Sequence, residues 1–226
     1  MDRRLRCVLF DFDGVVADTE PSNFYYLEKA LGVLGISLND EQRRAILGVN
    51  DLEVLRPLMD AAVPPVTPER LAEEQRRQGN TYEDSAELQP NPGLRELLAR
   101  LRQKGIRTGV VSSTSARLIL AALNRMGLTG QFDVVLCGDM IRRRKPDPEG
   151  YRRAMELLGV RPEDCAVIED SPAGIRAGLA AGAYVLGFAG SSLVQDTSRA
   201  HVRIGSFAEC AALPLFRDAL ADEGGL

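Results

Sequence analysis

The chain is poor in the features on which several classes of protein depend. It has one histidine and four cysteines among 226 residues, and Lys plus Arg number 28 against 32 for Asp plus Glu. The cysteines form no CxxC pair and three of them lie in apolar runs, which favours buried free thiols in a reducing compartment, and the overall composition excludes a disulfide-framed miniprotein. The net charge of −4 supplies no overall basic field, so neither nucleic acid nor an anionic membrane is an expected partner.

Long apolar runs are missing as well. No run is long enough to span a bilayer, and the N-terminus passes from charged residues straight into a short apolar stretch, unlike a signal peptide. Apolar residues make up 45% and charged residues 27% of the chain, which is close to the average soluble protein and excludes a disordered chain. We therefore expect a compact soluble protein of the cytoplasm, and a monomer.

Short β-rich runs alternate with helical stretches along most of the sequence. This alternation is typical of an α/β fold with a doubly wound parallel sheet of the Rossmann kind. The predicted strands are Cys7–Phe10, Arg107–Ser112, Phe132–Cys137, Cys165–Ile168, Ala183–Phe188 and, more weakly, His201–Ile204.

One interval breaks the alternation. Nearly a hundred residues separate the first two predicted strands, against about thirty for an ordinary βαβ unit. The interval contains helical patterns: Asn39 and Asn50 look like N-caps, and Thr67-Pro68 opens a further helix. We therefore expect an inserted α-helical cap domain. The predicted division is an α/β core of residues 1–14 and 88–226 and a cap of residues 15–87.

Polar side chains follow several predicted strands directly. Ligands of an open α/β sheet bind beyond the carboxyl ends of its strands, where such residues converge. His201, the only histidine, lies away from all of them, so a Ser-His-Asp scheme is excluded. The candidate site residues are Asp11, Asp13, Ser112, Ser113, Lys145, Glu169 and Asp170.

Two pairs of acids carry most of this argument. Asp11 and Asp13 are two residues apart, which directs both carboxylates to one side of an extended segment. The alternatives are a simple turn or a calcium loop, although the later ligands of such a loop are missing. Glu169 and Asp170 are adjacent at a buried strand end, where like charges are costly unless a cation lies between them. Their oxygen ligands suit Mg²⁺, whereas Ser171 is interpreted as a helix cap.

The remaining candidates have simpler alternatives. Ser112 and Ser113 begin a run of hydroxyl residues, any of which could instead cap the next helix. Lys145 ends a run of arginines that could be a solvated basic loop. Their shared position at the sheet edge favours a role in binding an anion.

Together these groups match the needs of phosphoryl transfer through an aspartyl-phosphate. A carboxylate that attacks a phosphate dianion meets repulsion of roughly 8 kcal/mol at about 4 Å if the effective dielectric constant is about 20. A Mg²⁺ ion and a lysine can cancel this repulsion, while helix amides and a hydroxyl hold the phosphoryl oxygens. A second acid can then handle protons.

The sequence resembles the haloacid dehalogenase superfamily, in particular its capped phosphatases and phosphomutases of the β-phosphoglucomutase-like and CbbY-like kind. The resemblance covers nearly the whole chain and consists of four motifs in order. The motifs are Asp11 to Glu20, Val110-Val111-Ser112, Lys145-Pro146 and Val167 to Ser171.

The resemblance implies a role for each matched residue. Asp11 would be the nucleophile and Asp13 the general acid and base, whose presence argues against the dehalogenase branch. Ser112 and Lys145 would hold the phosphate. Asp170 and Asp11 would bind Mg²⁺ together with the backbone carbonyl of Asp13. Glu169 would either bind the ion as a further ligand or lie next to its ligands without binding it.

The cap departs from the mutase pattern. Asn23 stands where that pattern has His, and Asp51 stands where it has Arg, just after Gly48-Val49. A mutase must hold a second phosphate, and replacing Arg by an acid turns attraction into repulsion. We therefore predict that Asn23, Gly48 and Asp51 govern specificity and favour a monophosphate. The alternatives are that Asp51 merely begins a helix, or that Arg76 or Arg77 supplies a substitute cation.

The resemblance therefore implies a Mg²⁺-dependent phosphatase acting on a small phosphorylated metabolite, with a sugar phosphate favoured. A phosphomutase is the alternative among enzymes. A signalling receiver also gathers acids, a hydroxyl and a lysine around Mg²⁺, but it has no need of an inserted helical lid. A catalytically silent binding protein is disfavoured because every expected chemical group is present.

The substitution Asp51→Arg tests the argument about the cap. Because arginine attracts the dianion that aspartate repels, the variant should act better on a sugar bisphosphate relative to the matching monophosphate. The ratio of the two rates measures the effect, and an unchanged ratio would count against a specificity role for Asp51.

Overall fold

The computed structural model of the protein describes residues 4–46 and 55–221. They divide into two compact units. The first, here called the α/β unit, contains the residues up to Asp18 and from Gln89 onward, and the second, the helical unit, is Thr19–Leu88. Among the described residues, no helix is both long and apolar enough to cross a membrane.

The α/β unit is built on a parallel sheet, which confirms the predicted fold class. Across the sheet the described strands follow the order β3-β2-β1-β4-β5-β6, and each neighbouring pair is parallel. The observed bounds differ from the predicted ones by no more than one or two residues. The strands are β1 (Cys7–Phe10), β2 (Arg107–Val111), β3 (Val134–Leu136), β4 (Cys165–Glu169), β5 (Tyr184–Phe188) and β6 (Val202–Ile204).

The helical unit has its own apolar core. The N-caps predicted for two of its helices are present: Asn39 and Gln42 exchange hydrogen bonds of 2.9 and 2.8 Å, and Thr67 Oγ1 accepts one from the Arg70 amide. The predicted cap at Asn50 lies outside the described residues. The helices are α1 (Glu20–Val33), α2 (Asp40–Ile46), α3 (Arg56–Ala61), α4 (Pro68–Gln78) and α5 (Thr81–Asp84), and the core includes Ala30, Leu31, Ile36, Met59 and Leu71.

Amphipathic helices connect the strands of the sheet. They bury regularly spaced apolar residues, such as Leu94, Leu97, Leu98 and Leu101 of α6, because apolar residues three or four positions apart share one helix face. The connecting helices are α6 (Leu94–Gln103), α7 (Ala116–Arg125), α8 (Glu149–Leu158) and α9 (Pro172–Ala180), and α10 (Pro214–Leu220) follows β6. One large core cluster includes Leu9, Val167 and Val185 of the sheet, Tyr151 and Met155 of α8, and Ile175 of α9.

The turn after β1 belongs to the α/β unit. The prediction placed the first domain crossing at Gly14, whereas the unit continues to Asp18. Asn91 explains the difference, because its side-chain amide donates to the carbonyls of Gly14 and Val15 at 3.0 and 2.9 Å. Its backbone amide donates to Val16 at 2.9 Å, so the turn is tied to the segment that re-enters the unit.

The variant Asn91→Ala should lower the free energy of unfolding by about 2 kcal/mol. It removes a buried side-chain amide and leaves the two backbone carbonyls that accept from this amide without their donor. Urea unfolding measures the loss. The matched control is Asn124→Ala on the exposed surface of α7, which should change stability by less than about 0.5 kcal/mol. Equal stability of the two variants would contradict the anchoring role.

Candidate active site

The sheet topology brings the two acidic motifs together. β1 and β4 are neighbours in register, with Phe10 opposite Ile168, and the amide of Asp11 donates to the carbonyl of Ile168 at 3.0 Å. Carboxylate oxygens of Asp11, Glu169 and Asp170 lie within 4.8 Å of one another. All three residues are buried, so two strand ends far apart in the chain create one concentrated negative charge.

Lys145 supplies a cation to this cluster from the loop that follows β3. Its ammonium contacts Asp11 Oδ1, lies 2.6 Å from Glu169 Oε1 and donates to the carbonyl of Val111 at 2.9 Å. These three acceptors match the three protons of an ammonium group. The side chain is 10% exposed, so Lys145 is part of the buried site and not of a solvated basic loop.

Glu169 is fully buried and accepts hydrogen bonds on both oxygens. Oε1 accepts from the Tyr151 hydroxyl at 2.7 Å, in addition to its contact with Lys145. Oε2 accepts from the backbone amide and the hydroxyl of Ser171 at 3.2 and 3.1 Å. Ser171 also caps α9, as predicted, because its hydroxyl accepts from the Gly174 amide at 3.0 Å.

Burial and the neighbouring acids shift the pKa values of two of the three carboxyl groups upward. Burial, together with the charges of its acidic neighbours, raises the pKa of Asp11 well above its ordinary value despite Lys145. Burial and the charge of Glu169 raise the pKa of Asp170 to about 7. Burial lowers the pKa of Lys145, but Asp11 and Glu169 outweigh it and the net shift is upward. Three carboxylates facing one ammonium fit a divalent cation with hard oxygen ligands.

Asp170 is held by two contacts. The Gln195 side-chain amide donates to its Oδ2 at 3.3 Å, from the segment between β5 and β6. Gly14 also lies against this carboxylate, and a Cβ atom there would stand 2.1 Å from the same oxygen. Gly14 also has a φ of +80°, so both its backbone and the approach of Asp170 require glycine.

The hydroxyl run after β2 lies beside Asp13. The Ser112 hydroxyl is buried and accepts from the Thr114 amide at 3.0 Å, which closes a local turn and does not cap α7. The Thr114 hydroxyl donates to Asp13 Oδ2 at 3.1 Å. Ser113 is exposed. Of the two serines, only Ser112 has its side chain enclosed at the sheet edge.

Asn23, Gly48 and Asp51 are the residues predicted to govern specificity. Asn23 belongs to the helical unit, where its Oδ1 accepts a 2.6 Å hydrogen bond from the Thr81 hydroxyl. Gly48 and Asp51 lie outside the described residues. Arg77 forms an ion pair with Glu73 at 2.6 Å, which weakens the suggestion that it is a spare cation.

Sequence reasoning missed three side chains that contact the candidates. Tyr151 and Thr114 carried no distinguishing signal, because an aromatic residue in a helix is typical of a core and a threonine before a helix is typical of a cap. Gln195 lies several residues beyond the end of β5 at Phe188, so collecting the polar residues that directly follow each strand does not reach it.

Comparisons with known proteins agree with this geometry. The family model described as haloacid dehalogenase-like hydrolase matches residues 5–182. A phosphorylated carbohydrates phosphatase from Thermotoga maritima is 37% identical over 182 residues, which cover 79% of this chain and 82% of the relative. The β-phosphoglucomutase of Bacillus subtilis is 29% identical over 189 residues, 81% of this chain and 83% of the relative.

The solved structures include a haloacid dehalogenase family hydrolase from Deinococcus radiodurans with bound phosphate and sodium. It superposes with a TM-score of 0.77 at 27% identity and covers 96% of this chain and 97% of its own.

The variant Gly14→Ala should disturb the cation site, because the added Cβ would displace the Asp170 carboxylate. We expect Mn²⁺ binding, measured by electron paramagnetic resonance without substrate, to weaken about tenfold or more. The control is Gly130→Ala, where φ is +78° but no atom lies within 4 Å of the added Cβ. That variant has the same backbone strain, of about 1–2 kcal/mol, and should bind Mn²⁺ normally. Unchanged binding in Gly14→Ala would contradict the placement of the cation at Asp170.

Proposed function

The chain belongs to the haloacid dehalogenase-like hydrolase family, and on this premise we propose that it is a Mg²⁺-dependent phosphatase of a small sugar phosphate. The observation that carries the proposal is the buried contact of Asp11 with Lys145 beside the Glu169-Asp170 pair. A carboxylate held next to an ammonium, at the edge of a parallel sheet, has what nucleophilic attack on a phosphate requires.

Asp11 is the proposed nucleophile. One of its carboxylate oxygens attacks phosphorus, and the bond from phosphorus to the leaving alcohol oxygen breaks as the aspartyl-phosphate forms. The positive charge of Lys145 offsets the repulsion between the carboxylate and the phosphate, which is roughly 4 kcal/mol per unit charge pair at about 4 Å in a medium of dielectric constant near 20. Burial of both groups strengthens this interaction.

Asp13 is the proposed proton carrier. In the first step it donates a proton to the leaving alcohol, and in the second it accepts one from the water that attacks phosphorus and releases inorganic phosphate from Asp11. The Thr114 hydroxyl, which donates to Asp13 Oδ2, fixes the orientation of the carboxyl group.

Ser112 and Lys145 are the proposed phosphate holders. The Ser112 hydroxyl accepts from Thr114 and keeps its own proton for a phosphoryl oxygen. Lys145 exchanges its contact with Asp11 for one with the phosphate while it keeps Val111 and Glu169. Ser113, which is exposed, is the weaker of the two serine candidates.

The residues that would hold the metal ion are Asp11 and Asp170, with the backbone carbonyl that the family pattern assigns to Asp13. When bound there, Mg²⁺ would neutralise the excess carboxylate charge and the phosphate oxygens. The donor set supports this choice, since buried carboxylates are the ligands that a hard divalent cation prefers.

The substrate class rests on the relatives and on the helical unit. The Thermotoga relative is named a phosphatase of phosphorylated carbohydrates, and we propose the same class here, with the helical unit as the cap that selects among substrates. The second candidate is a phosphomutase, because a β-phosphoglucomutase is also among the relatives. Asn23, which hydrogen-bonds Thr81, and the acidic Asp51 favour hydrolysis. We also propose a cytoplasmic location, from the composition, and a monomeric state.

The variant Asp11→Asn tests the proposal. Phosphate release from a panel of sugar phosphates with Mg²⁺ should fall by at least about 10³-fold, because the amide is a poor nucleophile, and EDTA should abolish it in the wild type. Asp218→Asn, an exposed change in α10, should leave release unchanged.

Two outcomes would contradict the proposal. Substantial turnover by Asp11→Asn would remove the nucleophile assignment. Formation of glucose 6-phosphate from β-glucose 1-phosphate and the bisphosphate activator, exceeding phosphate release, would identify a mutase.

A further inference from the structure

Tyr151 lies directly beneath the site, although it takes no part in the chemistry described above. It is on α8, its side chain is fully buried, and its hydroxyl donates to Glu169 Oε1 at 2.7 Å. Its ring centre is 5.2 Å from the Lys145 ammonium, within the range of a cation–π interaction. One aromatic side chain therefore contacts both Glu169 and Lys145.

The hydrogen bonds of Glu169 account for its whole accepting capacity. A carboxylate has about four lone-pair positions. Lys145 and Tyr151 occupy those of Oε1, and the amide and hydroxyl of Ser171 occupy those of Oε2. Glu169 cannot move either oxygen to a metal ion without leaving a buried donor unpaired, which is costly.

Close packing around Glu169 also restricts the movement of its carboxylate. A Cβ atom added to Gly174, in the first turn of α9, would lie 1.7 Å from Oε1 and 2.2 Å from Oε2. The carboxylate is therefore packed against the start of α9, and its Oε1 also contacts Tyr151 and Lys145.

We propose that Tyr151 is a positioning residue, whose hydroxyl keeps Glu169 as the anchor of Lys145 and out of the cation site. The inference deepens the proposed function and rests on it. Tyr151 and Lys145 both donate to Oε1 of Glu169. Because the oxygen is shared, Glu169 orients the ammonium but attracts it less strongly than it would alone. The Val111 carbonyl supplies the second fixed point. The third proton of Lys145 is then available to the phosphate once it leaves Asp11.

The variant Tyr151→Phe removes the hydroxyl and keeps the ring. Oε1 of Glu169 then has Lys145 as its remaining donor and draws the ammonium back from the phosphate. We expect inorganic phosphate, titrated calorimetrically in saturating Mg²⁺, to bind about fivefold to tenfold more weakly, as for the loss of one charge-assisted hydrogen bond. KM should rise in parallel, whereas kcat should change less than about threefold because Asp11 and Asp13 are untouched.

Binding of Mn²⁺ without phosphate distinguishes this role from a role in the cation site. If Glu169 is an anchor and not a ligand, Tyr151→Phe should bind Mn²⁺ within about twofold of the wild type. The matched control is Tyr184→Phe, which removes a hydroxyl at the start of β5, where the ring stacks on His201 at 4.8 Å. It should leave phosphate and Mn²⁺ binding unchanged.

Three results would overturn the inference. The first is unchanged phosphate binding in Tyr151→Phe, whether or not its melting temperature falls. The second is weakened Mn²⁺ binding in that variant. The third is an equal loss of phosphate affinity in Tyr184→Phe. Failure of the proposed function gives a different result. A wild type that binds phosphate with the expected dependence on Tyr151, yet releases none from any ester, would reject the phosphatase and keep the inference.

Discussion

The buried contact of the Lys145 ammonium with the carboxylates of Asp11 and Glu169 is the interaction on which the rest of the site depends. Removing one partner of a buried ion pair costs about 3–5 kcal/mol, because the other charge is left uncompensated. One lysine faces three acidic side chains, and burial, together with the neighbouring acids, raises the pKa values of Asp11 and Asp170. In the proposed function this acidic cluster would hold a divalent cation, and the same ammonium would offset the charge of an incoming phosphate.

The fold brings these charges together through strand adjacency and close packing. β1 and β4 pair in register, so residues more than 150 positions apart in the sequence end side by side. Gly14 and Gly174 allow Asp170 and Glu169 to approach the backbone more closely than any side chain would permit. Asn91, in the segment that re-enters the α/β unit, hydrogen-bonds the turn after Asp13 and fixes its position. Stability and function thus rely on the same few contacts, which leaves little freedom to substitute these positions.

Local patterns predict much of this arrangement, and tertiary contacts determine the remainder. The β-rich runs and glycine or proline signals are short-range features, so they predict the strands and the polar residues that follow Phe10 and Ile168. No local pattern shows that the Tyr151 hydroxyl meets Glu169, or that Asn91 reaches Gly14, because both contacts join segments distant in sequence. The roles of Asn23, Gly48 and Asp51 remain predictions.

The measurement that tests the central claim most directly is chemical trapping of the phosphorylated intermediate. Borohydride, added during turnover of a sugar phosphate, reduces an aspartyl-phosphate to homoserine, which peptide mass spectrometry can locate. The account predicts homoserine at position 11, dependent on substrate and on Mg²⁺, with Asp13 and Asp170 unmodified. Turnover that yields no homoserine at position 11, or homoserine at another acid, would contradict the assignment of Asp11 and the mechanism built on it.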